Sequence, residues 1–133
     1  METAAKVLVL GGVLNLAYGF ALGVAMARAR TTAPEAPRYL VLAHVGPLMQ
    51  GPMLLALTIA LALSTLSPGW EQLAAWSLVA GSAGVAAGDT MHWRSGTADA
   101  FATRGPGFSL QSAGAGASSL GLALVLIGVV QGV

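Results

Sequence analysis

The 133-residue chain contains no cysteine and very few charged residues. Without cysteine it can form no disulfide, no thiolate-ligated iron–sulfur cluster and no covalently attached c-type haem. The absence of cysteine does not indicate whether the chain resides in an oxidising or a reducing compartment. Charged residues make up only 8% of the chain, against roughly a quarter in soluble domains. The formal net charge of +1 gives no indication of nucleic-acid binding.

Hydrophobic residues, by contrast, make up 56% of the chain. A helix needs about 20 apolar residues to span the hydrocarbon core of a bilayer. Four segments approach that length: residues 7–27, 39–66, 73–93 and 111–133. The third is the least apolar, because glycines and Asp89 interrupt it. We therefore predict an all-α membrane protein in which residues 1–133 form a single domain of four transmembrane helices, packed as an antiparallel bundle.

Basic residues indicate the orientation, since short cytoplasmic loops collect lysine and arginine. Five of the six basic residues fall in the loops after the first and third segments: Arg28, Arg30, Arg38, Arg94 and Arg104. The turn between the second and third segments has none, and the termini contribute only Lys6. We expect both chain ends outside an inner (cytoplasmic) membrane and both arginine-bearing loops in the cytoplasm.

A histidine, a glutamine and two prolines lie inside the second apolar segment, where residues 43–55 read AHVGPLMQGPMLL. Polar groups are costly in a membrane, so they mark a functional site or hydrogen-bond a neighbouring helix. Pro47 leaves a backbone carbonyl of the preceding turn without its helical donor, and Gly46 and Gly51 remove side-chain bulk. A flat cofactor could therefore approach His44, although simple helix packing would use the same small residues.

The predicted topology brings other polar residues to similar depths in the middle and cytoplasmic half of the bundle. They are Asn15, Tyr18, Gln50, Asp89, His92 and Gln111. A polar pocket open toward the cytoplasmic side is the simplest arrangement of these groups. Alternatively, Asp89 could pair with Arg94 at a helix end, His92 could be an interfacial residue, and Asn15 and Tyr18 could be packing groups.

Residues 37–55, PRYLVLAHVGPLMQGPMLL, resemble the second helix of the small four-helix membrane isomerases that comprise styrene oxide isomerase and hydroxylaminobenzene mutase. The resemblance rests on the spacing of Ala43, His44, Gly46, Pro47, Gln50 and Gly51. It implies a homotrimer that holds a b-type haem, with His44 as the axial iron ligand and Gly46, Pro47 and Gly51 beside the cofactor. It also implies that Gln50 orients a small aromatic substrate.

Haem iron held by one histidine leaves its other face open to a substrate oxygen or nitrogen, so a rearrangement would need no nucleophile, reductant or water. This chemistry suits a chain without a catalytic triad, a nucleotide-binding loop or an HExxH motif. Gln50 and Asp89 are the candidate catalytic groups, because either could stabilise or move a proton. Asn15 and Tyr18 are candidate substrate contacts together with Gln50.

The chain length and the Pro37-Arg38 pair resemble the mutase side of this family, and the resemblance implies rearrangement of a hydroxylaminoarene to a 2-aminophenol as the first expectation. The first alternative is isomerisation of an epoxide to an aldehyde. A second, from another class, is an electron-transfer cytochrome whose haem is ligated by both His44 and His92. A third is a noncatalytic helical scaffold, suggested by three glycine pairs at GxxxG spacing that are typical of helix contacts.

Overall fold

The computed structural model describes residues 2–132, which fold into five helices. These are α1 (Glu2–Thr32), α2 (Arg38–Ala62), α3 (Pro68–Arg94), α4 (Ala100–Thr103) and α5 (Pro106–Gly132). No strand occurs in that range, so the all-α class is confirmed. Three of the helices, α1, α2 and α5, are long and apolar enough to cross a membrane. This agrees with the prediction of a membrane protein.

The four long helices contain the four predicted segments, with two differences at the ends. The second segment was expected to reach residue 66, but α2 ends at Ala62. The backbone N–H of Leu66 instead donates to Oγ of Ser64 (3.1 Å), a local bond that competes with helix continuation, and Pro68 then begins α3. The fourth segment was drawn to residue 133, which lies outside the described residues.

The short helix α4 was not predicted. The Asp99 carboxylate caps it by accepting hydrogen bonds from the backbone N–H groups of Phe101 (2.9 Å) and Ala102 (3.3 Å). Arg104 then ends it in the left-handed conformation, with φ of 45°. The loop between α3 and α5 is therefore an ordered connection with its own turn of helix.

Glycines set how closely the helices approach, and the most extensive contacts are between α1 and α2 and between α3 and α5. A Cβ atom added to Gly12 would lie 2.9 Å from the carbonyl oxygen of Gly51, and one added to Gly51 would lie 2.9 Å from that of Gly12. A Cβ on Gly114 of α5 would lie 2.7 Å from the carbonyl oxygen of Gly81 of α3. Side chains are excluded at these points, as in close helix packing within membranes.

Two apolar clusters fill the space between the helix pairs. The larger joins α1, α2, α3 and α5 around buried leucines such as Leu8, Leu54 and Leu78. The smaller consists of Leu22, Leu40 and Ala43, with Trp93 against it. His44 directly follows Ala43 in the chain, so the second cluster fixes the part of α2 that carries the histidine.

Candidate functional site

His44 lies between α1 and α2, with its ring held by the backbone of α1. Its Nδ1 is 2.7 Å from the carbonyl oxygen of Gly19, and a carbonyl can only accept, so Nδ1 carries the proton. The other ring nitrogen, Nε2, is then the one with the free electron pair, and it has no hydrogen-bond partner among residues 2–132. A backbone carbonyl that fixes the tautomer in this way is the usual companion of a metal-binding histidine.

Gly23, one turn beyond Gly19, makes room for this ring. A Cβ atom at Gly23 would lie 2.9 Å from Cε1 of His44 and 3.2 Å from its Nδ1. Any larger residue would therefore push the ring away from the Gly19 carbonyl. The His44 side chain is half-buried, so it is held on one side and accessible on another.

The three residues predicted beside the cofactor occupy different environments. Pro47 is fully buried, and Gly51 packs against the backbone of α1. Gly46 has no atom within 4 Å of the position that a Cβ would take. Of the three, only Gly46 leaves open space at the surface of α2.

Gln50 lies on a different side of α2 from His44. Six residues separate them, which at 3.6 residues per turn is a rotation of about 240°, so their side chains point about 120° apart. The Gln50 Oε1 atom is buried and has no hydrogen-bond partner within the described range. A group within one subunit that meets Nε2 of His44 would therefore not meet Gln50 directly.

Asp89 belongs to a separate polar group between α3 and α5. Its carboxylate accepts a hydrogen bond from Nε2 of Gln111 at 3.0 Å, and its side chain is buried. The alternative pairing with Arg94 does not occur, because among residues 2–132 no ion pair joins the two. The prediction that Asp89 and Gln111 lie at one depth agrees with this contact.

His92 is more deeply buried than His44 and faces other neighbours. Its ring lies 4.9 Å from that of Tyr39, and Gly107 packs against its opposite side. The Nε2 atom is buried and unpartnered in the described part of the chain. Tyr39 is five residues before His44, about 140° away round α2, so the two histidines lie on different sides of that helix.

Asn15 and Tyr18 line a cavity of about 330 Å³ between α1 and α3, which is open at the surface of the bundle. The rest of its lining is apolar and small: Leu14, Ala83, Ala86 and Ala87. Tyr18 is hydrogen-bonded to Thr90 (2.6 Å) and Asn15 to Ser82 (3.0 Å), both on α3. The two predicted substrate contacts are thus brought together, but apart from His44, Gln50 and Asp89.

The predicted site residues therefore form three groups instead of one polar pocket. His44 lies at the α1–α2 interface, Asn15 and Tyr18 at the α1–α3 interface, and Asp89 at the α3–α5 interface.

Ser82 and Thr90 were not predicted as site residues. A signal for the cavity was present in Ala83, Ala86, Ala87 and Thr90, which have the i, i+3, i+4, i+7 spacing of one helix face.

Comparison of the chain with protein-family models, with curated proteins and with solved structures finds no match. The resemblance carried by residues 37–55 therefore enters the following section as a proposal.

Proposed function

We propose that the chain is a haem-dependent membrane isomerase that rearranges a small aromatic substrate, with His44 as the iron ligand. The observation that carries this proposal is the hydrogen bond between Nδ1 of His44 and the Gly19 carbonyl, 2.7 Å long. It presents Nε2 as an oriented, unprotonated ligand in a half-buried position. Neutral imidazole in that state is the form that binds iron.

The available donor set fits haem better than a bare metal ion. No group of three or more His, Cys, Asp or Glu side chains able to hold a metal occurs among residues 2–132. A single histidine suffices for a b-type haem, because the porphyrin itself provides four nitrogen ligands. When bound there, ferric haem would supply a Lewis acid for the N–O bond of a hydroxylaminoarene or the C–O bond of an epoxide.

The membrane arrangement that we propose has four spanning helices, α1, α2, α3 and α5, in an antiparallel bundle. The α3 helix has 27 residues, about 40 Å at 1.5 Å per residue, which is enough to span. Its polar residues Ser82, Asp89 and His92 are buried against other helices, not directed at lipid. Their burial allows a helix of lower hydropathy to cross the bilayer.

Contacts along the helices support the antiparallel order. Gly12 of α1 meets Gly51 of α2, and Gly19 meets Leu48, so the register rises along one helix as it falls along the other. The arginine-bearing loops would face the cytoplasm and both termini the outside of the inner membrane, by the charge rule given above.

The reaction that we place first converts a hydroxylaminoarene to a 2-aminophenol. The hydroxyl oxygen moves from nitrogen to the ring, and the ring carbon loses the proton that nitrogen gains, so no oxidant, reductant or water is consumed. In this scheme His44 holds the cofactor, and Asn15 and Tyr18 of a neighbouring subunit in the homotrimer implied by the resemblance bind substrate. Epoxide-to-aldehyde isomerisation is the alternative.

Gln50 and Asp89 remain the proposed proton-handling groups. A free Gln50 Oε1 can accept a hydrogen bond, and a carboxylate such as Asp89 can take up and return a proton. Both groups are buried and neither contacts His44 in the subunit, so in this proposal they act on the substrate through an intervening hydrogen-bonding group.

The electron-transfer alternative has weaker support. It requires His44 and His92 to ligate one iron from opposite faces. In one subunit, however, the two rings contact different helices: His44 meets α1, and His92 packs against Tyr39 and Gly107. This placement favours His44 as the one histidine that would hold the haem, with His92 taking no part in binding it.

An absorption spectrum of the purified protein tests the proposal, and the chain provides a matched control because it has only two histidines. His44→Ala should purify with little haem and no isomerase activity, whereas His92→Ala should keep haem. Wild-type haem content in both variants would remove His44 from the ligand role. Loss of haem in both, with a low-spin bis-histidine spectrum in the wild type, would favour the cytochrome.

A further inference from the structure

The cavity between α1 and α3 has two polar groups in its wall, and the structure fixes which way their hydrogen bonds run. Asn15 is only 8% exposed, yet it lines the cavity. Its Nδ2 donates to the carbonyl oxygen of Gly11 (2.9 Å) and to Oγ of Ser82 (3.0 Å). Gly11 offers only an acceptor at that point, so the amide cannot be turned the other way.

Ser82 can serve only as the acceptor in this bond. Its single hydroxyl proton is donated to the carbonyl oxygen of Val79, at 2.9 Å. Both N–H groups of the Asn15 amide are therefore occupied. Its carbonyl oxygen, Oδ1, receives no hydrogen bond from residues 2–132 and is not among the fully buried unpartnered atoms. Asn15 thus offers the cavity an acceptor and no donor.

Tyr18 is constrained in the same way. The arrangement that satisfies both contacts of Thr90 has its hydroxyl donate to the carbonyl oxygen of Ala86 (2.8 Å) and accept from the Tyr18 hydroxyl (2.6 Å). The phenolic oxygen keeps a lone pair for a further partner. Tyr18 therefore also offers the cavity an acceptor and no donor.

We propose that the Asn15–Tyr18 cavity binds a small, mostly apolar molecule through its own N–H or O–H groups, and that Ser82 and Thr90 set this specificity by occupying the wall's donors. A ligand with only acceptor oxygens would leave its oxygen and both wall acceptors unpaired in an apolar cavity, which is costly. Anilines, phenols and hydroxylamines meet the requirement, whereas epoxides, ethers and ketones do not.

This inference rests on the proposed function only where the ligand is taken to be the substrate. In that case it favours a hydroxylaminoarene, which carries N–H and O–H donors, over an aryl epoxide, which carries none. It identifies Ser82 and Thr90 as positioning residues that determine specificity without touching the reacting atoms.

The test compares fluorinated ligands of matched shape by ¹⁹F NMR on the full-length protein, with empty detergent micelles as the partition control. The wild type should bind 4-fluoroaniline roughly tenfold more tightly than 4-fluorotoluene, in which a methyl group of similar size replaces the amine; this is about the effect of one hydrogen bond with its desolvation. Equal binding of the two would overturn the proposal.

Three variants sharpen the result. Asn15→Leu removes one of the two acceptors and should lower the preference for 4-fluoroaniline several-fold, while the Tyr18 oxygen keeps part of it. It leaves no buried donor unpaired, because Ser82 still donates to Val79. Thr90→Val frees the Tyr18 hydroxyl to donate and should tighten binding of 4-fluoroacetophenone several-fold. Thr58→Val, which removes a hydroxyl bonded within α2, is the control and should change neither value.

Unchanged preference in a folded Asn15→Leu protein, or unchanged ketone binding in Thr90→Val, would each contradict the assignment. The same measurements in His44→Ala separate this proposal from the proposed function. If the wild type and His44→Ala both bind 4-fluoroaniline selectively and neither has isomerase activity, the cavity assignment is supported and the proposed isomerase function is wrong. If the wild type is active but does not bind 4-fluoroaniline selectively, the isomerase function is supported and the cavity assignment is wrong.

Discussion

Replacing Gly23 with alanine should release haem from the protein without weakening the fold. The added Cβ would lie 2.9 Å from Cε1 of His44, about 0.6 Å closer than the ~3.5 Å at which carbon atoms pack. The ring must retreat by that amount, which lengthens its 2.7 Å bond to the Gly19 carbonyl toward the limit of about 3.2 Å. Loss of such an outer-shell bond typically costs about 10- to 100-fold in metal affinity.

The helix itself should gain from the change, because alanine is about 1 kcal/mol more favourable than glycine in a helix interior. Gly116→Ala is the matched control, since this glycine lies in α5 with open space around its Cβ position. The assay is the ratio of haem to protein after exposure to a haem-scavenging protein, together with the thermal unfolding temperature. If Gly23→Ala retains as much haem as Gly116→Ala, the proposed seating of His44 between Gly19 and Gly23 is wrong.

Three further predictions concern catalysis, orientation and packing. At least one of Gln50→Leu and Asp89→Asn should keep the haem spectrum but lose activity on hydroxylaminoarenes by about 100-fold, as expected for one lost transition-state hydrogen bond; wild-type rates in both would exclude these residues from catalysis. Tags at both termini should be accessible only from outside the cell, and a cysteine placed at Thr32 should be labelled only from the cytoplasm; the reverse pattern would invert the orientation. Gly114→Ala should lower the thermal unfolding temperature, because its Cβ would lie 2.7 Å from a backbone oxygen of α3, whereas Gly116→Ala should not.

Helix positions could be predicted from the sequence because the bilayer imposes a length and a composition on each spanning segment. The segment end at residue 66 was placed wrongly, since hydropathy does not register the Ser64 side chain that bonds the backbone of Leu66. The capping role of Asp99 was missed for a related reason. It acts through one local hydrogen-bonded turn, which is too short to produce an apolar period.

The depth of a residue in the bundle was a poor guide to its neighbours, because the direction of its side chain round the helix axis determines which helix it contacts. His44 and Gln50 differ in depth by less than two turns, yet their side chains point about 120° apart. The glycines determine which helix faces pack together. Gly19 and Gly23 leave space for His44 to pack against α1, and Gly107 lies against His92. Without a known packing arrangement, six polar residues at similar depth suggest one pocket, whereas the folded chain separates Asn15 and Tyr18 from Asp89 and Gln111.

The polarity of the Asn15–Tyr18 cavity combines local and long-range effects. Ser82 and Thr90 each donate to a carbonyl of their own helix, three and four residues earlier, which is a local habit of hydroxyl side chains in helices and needs no tertiary structure. Only the packing of α1 against α3 makes Ser82 an acceptor for Asn15 and Thr90 an acceptor for Tyr18. Because the Ser82 and Thr90 hydroxyls donate to carbonyls of α3, Asn15 and Tyr18 donate to those hydroxyls. The groups of Asn15 and Tyr18 that remain available to the cavity are then acceptors. Hydroxyl residues on an alanine-rich helix face can thus determine what a cavity binds even when they do not contact the ligand.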